Sequence, residues 1–206
     1  MTSFNRKAHW ENVYQTKELT QVSWYEPTPH TPLDFIKKHF LDKNTAIIDI
    51  GGGDSFLADH LLKDGYTNIT VLDISGAALK RAQERLGENA HLIRWIEADI
   101  TQWEPQETYD FWYDRAALHF LTDLQDQKTY FSTASKAVTI GGKMVIGAFS
   151  TQGPLKCSGI EIQQYDEKLL TALAEPTFKK VHCFTQFHTT PSGSQQHFIF
   201  CHFNRV

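Results

Sequence analysis

The sequence predicts an α/β fold with a largely parallel sheet, and two observations carry that reading. Short, almost wholly apolar runs recur along the chain, as strands buried on both faces require. Between them lie segments with apolar residues at helical spacing, and that alternation is the pattern of strand–helix–strand crossovers. The chain has 206 residues, 41% hydrophobic and 21% charged, which suits one domain with its own core and excludes a disordered polymer.

The elements follow in order. Residues 1–30 stand apart, because Trp10, Tyr14, Trp24 and Tyr25 sit among polar residues and a proline-rich stretch follows. A short helix over 4–14 and then a loop are expected, packed on the main body because aromatic side chains demand burial. The chain thus reads as one domain, a lid or cap of residues 1–30 on a core of 31–206. A helix starts near Thr31, with Thr31 as N-cap, Pro32 in the first position and Leu33, Phe35, Ile36 and Phe40 as its apolar stripe. Residues 45–50 form a buried strand. A helix through Leu57, Leu61 and Leu62 ends at Gly65. Strands follow over 69–73, 92–96, 109–113 and 143–149, and helices over 75–86, 123–138 and 166–174. Segments 181–187 and 197–203, joined by the turn-rich Thr189-Thr-Pro-Ser-Gly193, read as a closing antiparallel hairpin.

The formal net charge of −4 argues against a broad nucleic-acid surface, which needs clustered Lys and Arg. No apolar run is long enough to span a bilayer, and residues 1–10 contain no apolar signal segment, so a cytoplasmic protein is expected. Cys157, Cys183 and Cys201 are odd in number and form no Cys-x-x-Cys, which reads as three reduced thiols. His182, His188, His197 and His202 lack a metal-ligand spacing, and no metal is expected. Nothing marks an interface, so a monomer is the expectation.

The chemistry is carried by Ile47-Ile-Asp-Ile-Gly-Gly-Gly-Asp-Ser55, an apolar strand running straight into glycines before a helix. Glycines let the backbone turn tightly and approach a ligand, and the helix N-terminus offers free N–H groups. Asp73 ends the second strand 22 residues after Gly51, where an acidic side chain accepts ribose hydroxyls; an N-cap for the next helix is its other reading. Asp99-Ile100 follows the third strand at the end where open α/β sheets bind ligands.

This set of residues resembles the class I S-adenosylmethionine-dependent methyltransferases. Asp49-Ile-Gly51-Gly-Gly53 is similar to their first motif, and Asp73 to their acidic residue after the second strand. Asp99-Ile100 resembles their adenine-holding pair. The 109–115 run resembles the strand beneath the methyl donor, and Gly141-Gly142 the turn into their fifth strand. The resemblance implies a three-layer Rossmann-like sandwich whose seven-stranded sheet ends in an antiparallel hairpin. It implies S-adenosylmethionine as cofactor, held by Asp49, Gly51, Gly53, Asp73, Ile74, Asp99, Ile100 and Asp114. Asp114 would contribute near the donor's amino-acid end. Asp114-Arg115-Ala116-Ala117 departs from the Asn/Asp-Pro-Pro-Tyr motif of nucleic-acid amino methyltransferases and sets that branch aside.

Methyl transfer from a sulfonium needs mostly alignment and water exclusion. Arg115 and His119, after the fourth strand, are the candidates near the reacting methyl; His119 would serve as a base, or else be a capped histidine on a short helix. Trp10, Tyr14, Trp24 and Tyr25 would wall the substrate pocket as a lid, or else simply pack the N-terminal helix. Residues 156–159 would border that pocket. The acceptor would be a small molecule or an exposed protein side chain. A nicotinamide-dependent oxidoreductase, or a non-catalytic module binding the same ligand, are the alternatives.

Overall fold

The chain's computed structural model describes residues 4–40 and 42–206; the first three residues of the N-terminal segment and Leu41 lie outside them. Among the described residues the α-helices are α1 (Arg6–Thr16), α2 (His30–His39), α3 (Leu57–Lys63), α4 (Gly76–Leu86), α5 (Leu124–Ala137) and α6 (Glu167–Ala174). The strands are β1 (Ile47–Ile50), β2 (Ile69–Asp73), β3 (Ile93–Glu97), β4 (Tyr109–Arg115) and β5 (Val138–Phe149), a small hairpin of β6 (Lys156–Cys157) and β7 (Ile160–Glu161), then β8 (Phe178–Thr189) and β9 (Gln195–Arg205).

Seven strands form one sheet in the order β3-β2-β1-β4-β5-β9-β8. The first five run parallel, while β9 is antiparallel to both β5 and β8. This is the expected sheet with its closing hairpin. The chain leaves β1 toward β2 and β3, then returns to β4 on the other side of β1. The strand order therefore reverses between β1 and β4, and a crevice opens at their C-terminal ends.

Side chains alternate across the sheet because successive Cβ atoms point to opposite faces. Ile48, Ile50, Trp112, Met144 and Phe203 pack against α5 and α6 residues such as Tyr130 and Leu170. Ile47, Phe111, Tyr113 and Phe200 pack on the other face against Leu33, Ile36 and Leu57. Burying each such side chain contributes about 1.5–3 kcal/mol, which makes the sheet a rigid platform for the loops at its edge.

Capping fixes where the helices start. Asn5 caps α1 by accepting from the Ala8 N–H, and Ser75 caps α4 by accepting from Ala78. Asp123 and Asp166 cap α5 and α6 in the same way. Thr31 is not the cap of α2: the helix begins at His30, placing Thr31 inside its first turn.

The cysteines correct the expectation of three reduced thiols. Cys183 and Cys201 face each other across β8 and β9, with Cα atoms 4.2 Å apart, and are joined as a disulfide. Directly opposed positions of an antiparallel pair bring side chains within bonding reach, a proximity that sequence spacing does not reveal. Cys157 is free and buried.

Candidate active site

The loop after β1 is built by its glycines. Gly51 and Gly53 have φ of 64° and 50°, the left-handed region that side chains avoid. A Cβ on Gly51 would lie 2.6 Å from the Cβ of Ala117, so the loops after β1 and β4 touch only because position 51 has no side chain. The Gly51 and Gly52 N–H groups both donate to the Leu72 carbonyl, tying the loop to the end of β2.

Two adjoining cavities open at this edge and share Tyr14, Trp24, Gly51 and Arg115 in their walls. The larger spans about 850 Å³ of space, including the open solvent at its mouth. At one end it is lined by Asp73, Ile74, Asp99 and Ile100. At the other it reaches Phe149, Cys157, Gln196 and Phe198. The smaller cavity lies over the glycine loop and meets Asp49, Asp54, Tyr25 and Phe56.

Asp73 divides its two possible roles between its oxygens. Oδ1 accepts from the Ser75 N–H at 2.8 Å, while Ser75 itself caps α4, and Oδ2 lies beside Gly53. Burial pushes the Asp73 carboxyl up to about 7. Asp49 is held well above the usual carboxylate range, first by burial and then by Asp114 and Asp73, with Arg115 opposing. Asp99 Oδ1 accepts from the Thr101 N–H and hydroxyl, and its Oδ2 lies 3.4 Å from Arg6 Nη2.

Two expected residues sit elsewhere. Asp114 lines neither cavity and is fully buried. Its Oδ1 accepts from Ala117 N–H at 2.9 Å, and its Oδ2 from Leu118 N–H at 3.1 Å and the Tyr130 hydroxyl at 2.6 Å. With both oxygens engaged it shapes the 116–118 turn, where Ala116 adopts φ of 71°, and contacts no ligand space. This corrects its expected place at the donor's amino-acid end. His119 is likewise fully buried and outside the lining of both cavities. Its Nδ1 accepts from the Phe149 N–H at 3.3 Å, which requires the proton on Nε2. Burial presses its pKa down to about 3, so it is a neutral wall support set behind the cavity.

The N-terminal segment covers the site. Trp10 stacks edge-on against Phe120 at 4.7 Å and Trp24 at 5.7 Å, and Trp10, Tyr14 and Trp24 all line the larger cavity. Tyr25 lines the smaller one and meets Phe56 at 6.0 Å. Polar contacts that the sequence did not disclose hold α1 down. Glu11 accepts from the Gly76 N–H at 2.6 Å and from Ala77, occupying the free N–H groups at the start of α4. Arg6 reaches Asp126 at 2.8 Å, and Arg81 donates to the Tyr14 and Lys17 carbonyls.

With this geometry in view, comparison with known proteins is direct. Residues 47–142 match the family model of a methyltransferase domain. That stretch is a little under half of the chain, and over it the sequence is similar to the methyltransferase-domain family. It is 25% identical to an eEF1A lysine and N-terminal methyltransferase of Mus musculus, over 96% of this chain and 31% of the relative. It is 29% identical to a malonyl-acyl-carrier-protein O-methyltransferase of Anoxybacillus flavithermus, over 78% of this chain and 61% of that one. The chain thus spans about a third of the length of the mouse relative. A methyltransferase structure from Anabaena variabilis superposes with a TM-score of 0.76 at 13% identity, covering 99% of this chain and 96% of that one. The 1,6-didemethyltoxoflavin-N1-methyltransferase of Burkholderia thailandensis gives 0.73 at 17% identity, covering 97% and 87%. These two structures share the fold of this chain.

Proposed function

We propose that this chain binds S-adenosylmethionine across the two joined cavities and methylates a small molecule or an exposed protein side chain. The observation that carries the reading is the convergence of Asp73 and Asp99, each followed by an isoleucine, on one cavity beside Gly51. The glycine loop fits the donor, since a Cβ at Gly51 or Gly53 would close the space against Ala117 or the Tyr14 hydroxyl. When bound, the donor supplies an activated methyl group on a cationic sulfonium.

The chain's own residues do the rest. Asp73 Oδ2 accepts ribose hydroxyls, Ile74 and Ile100 sandwich the adenine ring, and Asp99 accepts from its amine. Asp49, facing the smaller cavity, pairs with the donor's ammonium, and a cationic partner there favours its ionised form. Residues 4–30 act as a lid in which Trp10, Tyr14 and Trp24 exclude water and present aromatic faces to positive charge. No general base is assigned, because His119 lies behind the wall. The chain is further read as a monomer, and it is not assigned to the cytoplasm that its sequence led us to expect. The Cys183–Cys201 bridge stands against the reducing compartment, and no helix among the described residues is long and apolar enough to cross a membrane.

Calorimetric titration with S-adenosylhomocysteine and, separately, with NAD tests the reading. Micromolar binding of the first alone is expected. Binding of NAD alone would move the chain to the oxidoreductases.

A further inference from the structure

The half of the larger cavity that the donor reading leaves free is a cup over the ends of β4, β5 and β9. Trp24, Phe149, Cys157 and Phe198 wall it, and Arg115, Gln196 and Ser23, whose hydroxyl lies 3.9 Å from Cys157 Sγ, are polar groups in its lining. The Arg115 side chain is only 13% exposed. Its Nη1 donates to the Trp24 carbonyl at 3.2 Å, its Nε lies 3.6 Å from Glu26, and its guanidinium carbon sits 4.9 Å from the Phe198 ring centre. The Glu26 distance is too long for a direct hydrogen bond. Among the described residues the guanidinium makes no other hydrogen bond, so it keeps unused donors in an apolar-walled space. The Gln196 side chain, 9% exposed, makes none at all among them.

Charge is split across the cavity. Asp73 and Asp99 line the donor half, while Glu26 borders only the smaller cavity. In the cup itself Arg115 is the single charged group among the described residues. A guanidinium fork matches a planar carboxylate in two parallel hydrogen bonds, whereas a lysine ammonium would meet a fixed cation with no carboxylate in the cup to pair it. The aromatic walls suit a flat apolar body.

We infer that the cup is an acceptor subsite for a small planar molecule bearing a carboxylate, which Arg115 and Gln196 hold, and that it does not take a lysine side chain. This deepens the proposed function and rests on it for which half belongs to the donor.

The test is calorimetry on protein saturated with S-adenosylhomocysteine, titrated in turn with benzoate, benzamide and benzylamine. Benzoate is expected to bind at least about tenfold more tightly than benzamide, and benzylamine not at all. Arg115→Met removes the preference for benzoate. Gln196→Glu keeps every Arg115 contact, so it controls for misfolding; it weakens benzoate about tenfold by repulsion. Benzylamine binding as tightly as benzoate, or no benzoate preference in donor-saturated protein, overturns the inference alone. So does an Arg115→Met protein that loses S-adenosylhomocysteine affinity but keeps that for 5′-methylthioadenosine, since Arg115 then holds the donor's own carboxylate. A wild type that binds no S-adenosylhomocysteine overturns the donor reading and this inference together.

Discussion

The Tyr130 hydroxyl donates to Asp114 Oδ2 at 2.6 Å and accepts from the Trp112 indole N–H at 2.9 Å, all within the buried core. Through this chain of bonds α5 fixes the carboxylate that in turn holds the 116–118 turn against the glycine loop. Tyr130→Phe leaves Asp114 short of a donor and Trp112 without its acceptor. The variant should lose about 1–3 kcal/mol of stability, read as a lower midpoint in urea with an unchanged slope. A midpoint equal to wild type would mean that the network carries no net stability.

Gly51 cannot accept a side chain. Gly51→Ala combines a left-handed φ with a Cβ 2.6 Å from that of Ala117. The two loops must part, at a cost of about 1–3 kcal/mol, and donor affinity should fall with them. Gly65→Ala is the control, because its φ of 86° is equally unfavourable but nothing lies within 4 Å of the added Cβ. It should lower stability without lowering affinity for S-adenosylhomocysteine, and equal affinity losses in both variants would remove the Gly51–Ala117 contact from the site.

The pH dependence follows from buried carboxyls. Asp73 at about 7 and Asp114 at about 6 both lie above the unfolded value near 3.9. A raised folded pKa contributes stability that is present below the unfolded value and lost as pH rises through the folded one. His119, lowered to about 3, acts oppositely, losing stability as pH falls below its unfolded value. The two effects offset each other in the ligand-free protein, so the informative quantity is a difference. Ribose hydroxyls favour ionised Asp73, so the rise in melting temperature on adding S-adenosylhomocysteine should be larger near pH 8 than near pH 5.5. A rise that is the same at both pH values would contradict a titrating Asp73 at the ligand.

Glu11 links the lid to the core. Its carboxylate accepts from the Gly76 and Ala77 N–H groups at the positive end of α4, a charge-assisted cap delivered from another helix. Glu11→Ala should cost about 0.5–2 kcal/mol and speed hydrogen exchange across Arg6–Thr16, while α4, still capped by Ser75, keeps its own protection. Equal loosening of both helices would show Glu11 to be a cap of α4 rather than a tether of α1.

The order of strands and helices was legible because buried parallel strands and amphipathic helices leave opposite periodicities in the residues. Strand ends were less so. β5 begins at Val138, ahead of Gly141-Gly142, because Val138 pairs with Tyr109 across a bulge that no local pattern announces. Asp49, Gly51, Asp73 and Asp99 stood out as candidates because they lie at or just after strand ends in a fixed order, and each borders one of the two cavities. Asp114 shared that placement, yet the Tyr130 hydroxyl from α5 turned it inward. Arg6 and Glu11 were missed because their partners lie 120 and 65 positions away, at Asp126 and Gly76. Gln196 and Phe198 gave one faint signal: they share parity at the start of a strand beginning at the crevice edge.

The donor site is the centre of the account, and Asp73 is its most specific element. Calorimetric titration of wild type and Asp73→Ala with S-adenosylhomocysteine tests it most directly. Loss of charge-assisted hydrogen bonds to the ribose should weaken binding by about 1–3 kcal/mol, roughly five- to 150-fold, in a variant that remains folded. An Asp73→Ala protein that binds S-adenosylhomocysteine as tightly as wild type would contradict the placement of the donor across β1 and β2.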